Sequence, residues 1–159
     1  MSLTVPVGSD HQLARLLQTG IVLEEVVEAR AARHAREIPG LEEDVREMLA
    51  AAAEESAEHR RRLEELVDEL DAETIPFEEI ETLVEAQYEA DDDFDGVLYD
   101  QLCNEETAYK FYDDLITAIE NSDVRFSIDR ERLLGILRGI REEEKEGVED
   151  VTELMEANE

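Results

Sequence analysis

The chain has 159 residues, 42% of them hydrophobic, which suits one compact domain with a core of its own. Its 45 acidic residues against 15 Lys and Arg give a formal net charge of −30, so no basic stripe is present for nucleic-acid phosphates, and its single cysteine excludes an internal disulfide framework. Because no apolar run approaches the roughly 20 residues that cross a bilayer and no signal-peptide pattern opens the chain, we expect a cytoplasmic protein that binds neither nucleic acid nor membrane.

The first predicted helix begins at Ser9, which lies three residues before Gln12 in the spacing of a capping box, and it ends before Pro39. One acid, Glu24, interrupts its apolar stripe, whereas Glu25 projects about 100° away and is expected to be solvated. Two histidines near this stripe are interpreted as surface or boundary residues: His11 and His34.

The second predicted helix spans Leu41 to Leu70, and its inward seam contains His59 with Glu55 one turn earlier. Burying an ionised carboxylate costs several kcal/mol unless it is paired or bound to a metal, and imidazole is a common metal ligand. The pair therefore indicates a metal site. The short turn between the first two helices makes them an antiparallel hairpin, residues 10–70.

A long crossover, residues 71–91, is expected to contain a short amphipathic helix before the third long helix, which runs from about residue 92 to 119. Glu105 interrupts the apolar stripe of this third helix, and Glu106 points to one side of it. Cys103 lies nearly opposite Glu105 on the helix, so we interpret its thiol as a packing or subunit-contact group.

The fourth helix is predicted to begin near residues 127–129 and to complete a second hairpin, residues 92–155. Its apolar stripe aligns with Glu143, and Glu144 lies on the adjoining edge. The C-terminal residues 156–159 are expected to fray.

The two hairpins resemble copies of one another. When NEETAYKFYDDL is laid on LEEVVEARAARH, and REEEKEGVEDV on AEESAEHRRRL, the interrupting residues correspond. Three correspondences follow, at separations of 81 or 88 positions: Glu24 with Glu105, Glu55 with Glu143, and His59 with Gly147. Single glutamates in four seams are unremarkable individually, but their two-fold pattern indicates a shared site.

The segment NEETAYKFY resembles the glutamate-then-aromatic helix of the rubrerythrin branch of the ferritin-like superfamily, and AEESAEHRRRLEEL resembles its carboxylate-histidine helix. The resemblance implies an all-α fold, a ferritin-like antiparallel four-helix bundle over residues 10–155 with a long crossover between helices two and three. It also implies one inward Glu from each of two helices and a Glu-x-x-His pattern from each of the others. The positions carried over are Glu24, His59, Glu105 and Glu144.

Two positions depart from the family pattern. Ser56 stands three residues before His59, where the family has a bridging glutamate, and Gly147 stands at the position of the second histidine. Glu55 and Glu143, each one residue before an expected glutamate position, are therefore included as candidate ligands, because an i to i+4 spacing also keeps two ligands on one helical face.

Carboxylates with one imidazole favour iron, with manganese or zinc as alternative occupants. The resemblance implies a di-iron centre that oxidises Fe(II) or consumes peroxide as a ferroxidase or peroxidase. Tyr109 and Tyr112 are interpreted either as hydrogen-bond donors to the ligands or as core packing. Since no Cys-x-x-Cys module is present, redox turnover would need an external electron donor.

A second hypothesis is a degenerate bundle that keeps the fold as a structural or partner-binding protein without catalysis. In that case the four inward glutamates should be paired with arginine or water, or turned outward: Glu24, Glu55, Glu105 and Glu144. We also expect a homo-oligomer, a dimer in the first instance. The acidic composition, with Lys110 and Lys145 as the only lysines, resembles that of proteins from salt-accumulating halophiles.

Overall fold

The computed structural model describes residues 5–74, 79, 82 and 96–157, and over these ranges it contains helices and no strands. The four long helices predicted from the sequence are confirmed. Their bounds are α1, Asp10–Glu37; α2, Glu43–Glu69; α3, Val97–Glu120; and α4, Arg130–Ala157. None of the helices in the described part of the chain combines the length and the apolar character needed to cross a membrane.

The start and end of α1 follow from local backbone chemistry. The Ser9 hydroxyl accepts a hydrogen bond from the Gln12 amide at 3.1 Å, as the capping spacing predicts. The Gln12 side chain accepts from the Gly8 amide at 2.6 Å, so it satisfies a donor one residue further out than in a standard capping box. At the other end Ile38 is extended, with φ −80° and ψ 119°, because Pro39 disfavours a helical residue before it.

The helices pack mainly as two pairs, α1 on α2 and α3 on α4, and the pairs face one another to form the bundle. A large apolar cluster occupies one end, with fully buried leucines from all four helices: Leu13, Leu17, Leu63, Leu66, Leu115, Leu133 and Leu137. A smaller apolar cluster lies toward the end of α1 and the start of α2, around Ala31, Val45 and Leu49. Five buried polar residues lie between these two clusters in sequence along α1, α2 and α3, so apolar packing on both sides holds them in place: Glu24, Ser56, His59, Gln101 and Glu105.

Several boundaries differ from expectation or cannot be compared. The predicted crossover helix, within residues 71–91, and the expected start of the third helix at residue 92 fall largely outside the described residues. The fourth helix begins at Arg130, directly after Asp129, whose carboxylate accepts from the Arg132 amide at 3.3 Å. It continues to Ala157, two residues beyond the expected end at 155, so the first part of the tail expected to fray is helical.

Candidate metal centre

A buried group of three side chains occupies the centre of the bundle. Nδ1 of His59 on α2 lies 3.0 Å from Oε1 of Glu144 on α4 and 3.4 Å from Oε1 of Glu24 on α1. The three residues are 0%, 4% and 1% exposed, respectively. Each offers one ligand atom, and these atoms all lie within 4.8 Å of one another. This is the spacing at which one cation can reach all three donors.

Two further side chains, both on α3, donate hydrogen bonds to buried glutamates. The Tyr112 hydroxyl, which is fully buried on α3, donates a hydrogen bond to Oε1 of Glu24 at 2.6 Å. The buried Glu105, also on α3, accepts from Nε2 of Gln101 at 2.9 Å. The sequence left open whether Tyr109 or Tyr112 reaches the ligands, and the structure places Tyr112 there. Gln101 was missed, although its position four residues before Glu105 puts it on the same helical face.

The contacts of the central glutamates differ from those expected of a degenerate site. Among the described residues, Glu24 has polar contacts with His59 and Tyr112, and Glu144 has polar contacts with His59 and Glu105. These carboxylates point inward and are not neutralised by arginine.

Two atoms of the group lack hydrogen-bond partners among the described residues. Oε2 of Glu24 and Nε2 of His59 are both buried and unsatisfied. A buried polar atom without a partner costs about 1–3 kcal/mol, and such atoms are rare in folded proteins. A carboxylate oxygen and an imidazole nitrogen are both ligands for divalent metals of the first transition row. The residues present therefore fit a metal ion.

The electrostatics of the group also favour a cation. Burial raises the pKa of Glu144 most; the hydrogen bond to His59 opposes this effect, and the nearby carboxylates of Glu24 and Glu105 reinforce it. Burial by itself would lower the pKa of His59, but hydrogen bonds to Glu144 and Glu24 raise it to about 10. The metal-free group therefore retains protons near neutral pH. A metal ion would displace them and carry positive charge to the same place.

Glu55 and Glu143 occupy the other side of the imidazole. Their carboxylates lie 3.7 Å and 3.4 Å from Nε2 of His59, and their side chains are 39% and 35% exposed. Glu143 also accepts a hydrogen bond from Nη1 of Arg62 at 2.6 Å. The sequence placed Glu143 on the inward stripe with Glu144 at its edge, and this was wrong, because Glu144 is the buried residue of the two.

The same correction applies to α2. The inward seam was predicted to contain Glu55, but the buried residue there is Ser56, at 5% exposure. Other positions of the two predicted seams are buried as expected, among them Val45, Ala52 and Leu63 on α2 and Leu133 and Ile140 on α4, so the exchange is local to these two positions. Glu55 and Glu143 are thus at the rim of the group rather than at its centre.

Gly147, where the sequence resemblance implied a second histidine, makes room for Glu105. A β-carbon built at Gly147 would lie 2.6 Å from Cδ of Glu105, closer than real side chains approach. The Glu105 carboxylate therefore extends into space that any larger residue at 147 would occupy. Of the predicted candidates, Glu24, His59 and Glu144 form the central group, Glu105 lies beside it, and Glu55 and Glu143 flank it.

The remaining polar candidates lie elsewhere. His11 is exposed and accepts a hydrogen bond from the Glu73 amide at 3.3 Å. His34 is partly buried and lies 3.7 Å from Asp100, and Cys103 is exposed. These positions confirm the interpretation of both histidines as surface or boundary residues.

Comparison of the chain with protein-family models, with curated proteins and with solved structures gives no match. The class of protein is therefore defined by its own fold and site: a four-helix bundle with a buried carboxylate-histidine group that could hold a metal ion. Membership of the ferritin-like superfamily stays a prediction that rests on the sequence resemblance.

Proposed function

We propose that this chain is a ferritin-like, rubrerythrin-type metal-binding protein that handles iron, with Glu24, His59 and Glu144 as the principal ligands. The observation that carries the proposal is the convergence of these three buried side chains from three helices, with one ligand atom of each within 4.8 Å of the others. Two acids and an imidazole brought into an apolar core are costly unless a cation compensates them.

The donor set supports iron over softer metals. It contains carboxylates and one imidazole, whereas the chain's one thiol, Cys103, is exposed and lies outside it. Carboxylate and imidazole ligands suit iron and manganese, and zinc can occupy the same donors because metal supply and geometry decide the occupant. The Tyr112 hydroxyl orients the Glu24 carboxylate, as partners of metal ligands commonly do.

The family resemblance implies two iron ions, but the described ligands favour one well-held ion. A second ion would depend on Glu105 and Glu144 without an imidazole, since residue 147 is glycine. Bound iron would supply the redox chemistry for oxidation of Fe(II) by dioxygen or peroxide. The protein's own residues orient the ligands, the apolar layers on either side exclude water, and the ligands release their protons to solvent as the metal binds.

A second candidate function is a structural or partner-binding bundle whose site has lost its metal. One observation favours it: His59 and Glu144 hydrogen bond directly at 3.0 Å, and Tyr112 satisfies one oxygen of Glu24, so the group is partly satisfied without a cation. In that function the protonated imidazole would take the place of the metal and fix how the hairpins pack.

Anaerobic reconstitution with Fe(II) separates these functions. The full chain is stripped with a chelator, loaded in molar KCl, desalted and analysed for iron, and it is then exposed to dioxygen while its absorbance is followed. We expect the parent to retain about one ion per chain and to show an oxygen-dependent absorbance change.

The matched variants are Glu24→Gln, which should lose most of the iron, and Glu25→Gln, the adjacent half-buried residue, which should keep it. Less than one metal per chain in the parent, with no response to dioxygen, would exclude the iron-handling function. Equal loading of the Glu24→Gln and Glu25→Gln proteins would show that iron binds somewhere other than the central group.

A further inference from the structure

A groove of about 580 Å³ lies between the N-terminal half of α2 and the C-terminal half of α4. Its polar lining is acidic, with six carboxylates: Asp44, Glu47, Glu55, Glu105, Asp150 and Glu153. The first two and the last two are exposed, Glu55 is half-buried, and Glu105 is buried. The acids therefore run from the surface of the bundle to its interior.

The outer acids of the groove differ from those surface acids that form ion pairs with arginine. Elsewhere arginines pair with acids, as in Arg33 with Glu37 at 2.7 Å and Arg132 with Glu69 at 2.7 Å. In the described part of the chain no arginine or lysine lies within 4.0 Å of the carboxylates at the groove mouth: Glu47, Asp150 and Glu153. Their charges remain uncompensated.

The groove leads to the central group through two contacts. Glu55 lines it, and Oε1 of Glu55 lies 3.7 Å from Nε2 of His59, a buried nitrogen without a hydrogen-bond partner. Glu105 lines it as well and lies close enough to Glu144 to raise the pKa of that residue. Gly147 forms part of the wall, and the missing side chain leaves the Glu105 carboxylate accessible from the groove.

We propose that this groove is a binding and loading site for divalent cations. The cations enter at Glu47, Asp150 and Glu153. They then pass Glu55 and Glu105 and reach the central ligands Glu24, His59 and Glu144. The proposal rests on the proposed metal-binding function of the central group. The outer carboxylates attract a hydrated cation, and the inner pair replaces its water ligands in steps. Clefts lined by charge of one sign raise association rates by roughly 10- to 1,000-fold, and salt suppresses this effect.

The test measures loading rate and affinity separately. Metal-free full-length protein is mixed with Co(II) in a stopped-flow instrument, and the absorbance of protein-bound cobalt is followed. The measurement is made at about 0.1 M and at about 1 M KCl, because the Debye length is about 10 Å at the lower ionic strength and about 3 Å at the higher one. The groove variant is E47Q/D150N/E153Q. Its control is D68N/E73Q/E131Q, which removes the same charge from exposed acids near the opposite end of α2 and α4.

We expect the groove variant to bind Co(II) about 10-fold more slowly than the control variant in the lower salt, and we expect this difference in rate to shrink in the higher salt. The equilibrium affinities of the two variants for Co(II) should remain similar. A second matched pair avoids removal of acids. Ala51→Arg places a cation in the groove, whereas Ala50→Arg places it on the neighbouring exposed position outside the groove lining. Only the first should slow loading.

Groove and control variants that load equally fast would overturn the loading site while leaving the central metal site intact. If the triple variant does not fold, as judged by circular dichroism, equal rates for the two arginine variants have the same meaning. A parent protein that takes up neither Co(II) nor Fe(II) at any salt concentration would overturn the proposed function itself, which is a different result.

Discussion

Nδ1 of His59 lies 3.0 Å from Oε1 of Glu144, a contact between the two helix hairpins made by residues 85 positions apart in the chain. The two hairpins differ at the corresponding positions: His59 follows Ser56 by three positions, and Gly147 follows Glu144 by three. The first hairpin supplies the imidazole and Glu24, the second supplies Glu144, and together they form the central group.

Replacing His59 tests whether this contact serves a metal or only the fold. His59→Ala should destabilise the metal-free protein by about 1–3 kcal/mol, because it opens a cavity and removes the contacts that the imidazole makes with Glu144 and Glu24. It should also abolish the added stability that Fe(II) gives the parent, about 2.7 kcal/mol at 100 times the dissociation constant. Urea unfolding of both proteins with and without anaerobic Fe(II), in molar KCl, measures the two effects.

His34→Ala is the control, because His34 lies outside the group, and it should keep the Fe(II)-dependent increment. Should the parent and His59→Ala differ by the same amount with and without Fe(II), the imidazole is structural.

Removing the Tyr112 hydroxyl should weaken the site without disturbing the core. Tyr112→Phe keeps the ring that packs edge-on against Phe111 at a centroid distance of 5.2 Å, but it loses the hydrogen bond to Glu24. We expect a loss of about 1–3 kcal/mol in unfolding free energy and a roughly 10- to 100-fold lower metal affinity. Tyr109→Phe, at a half-buried position away from the central group, should change neither quantity; equal effects of both variants would contradict the role given to Tyr112.

The rim carboxylate Glu55 predicts a pH dependence of stability. Burial raises the pKa of Glu55 to about 7, with further increases from Glu105 and Glu143, while His59 opposes the shift. The folded protein therefore holds this proton more tightly than the unfolded chain does. The stability that Glu55 contributes is fully present below its unfolded pKa of about 4.5, and it is lost as the pH rises through about 7.

Urea midpoints measured with chelator present should therefore fall less steeply between pH 4.5 and 8 for Glu55→Gln than for the parent. Glu54→Gln, at the exposed position beside it, should follow the parent. Identical slopes for the three proteins would show that the Glu55 proton makes no difference to folding.

Three glycines of α4 predict opposite effects of the same substitution. Gly135→Ala and Gly139→Ala add a methyl group where nothing lies within 4 Å, so each should stabilise the helix by up to about 1 kcal/mol. Gly147→Ala would drive the new methyl group into the Glu105 carboxylate, so it should displace Glu105, cancel the helix gain and lower metal uptake. Urea unfolding and iron analysis measure both; a stabilising Gly147→Ala with normal uptake would mean that Glu105 moves away at no cost.

The net charge of −30 predicts a strong response to salt. The thermal midpoint of the metal-free protein should rise steeply between dilute buffer and molar KCl, since the Debye length shrinks from about 30 Å at 0.01 M to about 3 Å at 1 M and screens the repulsion. Thermal melts by circular dichroism measure the change, and melts at acid pH, where most carboxylates are protonated, should show little of it. A flat response near neutral pH would remove the comparison with halophile proteins.

The sequence was sufficient for the helices and for the residues that interrupt their apolar seams. A 3.6-residue period with Ser9 and Pro39 at the ends of α1 determines that helix locally, because caps and proline act within one turn. Glu24, His59 and Glu105 were placed inward by the same period, and the structure finds all three buried. Their function as metal ligands stays a prediction.

Only the tertiary structure decided between neighbouring residues. On α4 the choice was between Glu143 and Glu144, and on α2 it was between Glu55 and Ser56. Neighbouring residues of a helix point about 100° apart, so the packing of the whole helix against its partners decides which of the two faces the interior. The hydrogen bond from Tyr112 to Glu24 joins α3 to α1, which belongs to the other hairpin. The close approach of Glu105 to Gly147 joins α3 to α4 within one hairpin. Such contacts depend on side-chain volumes on two helices at once, and no single segment of sequence contains that information.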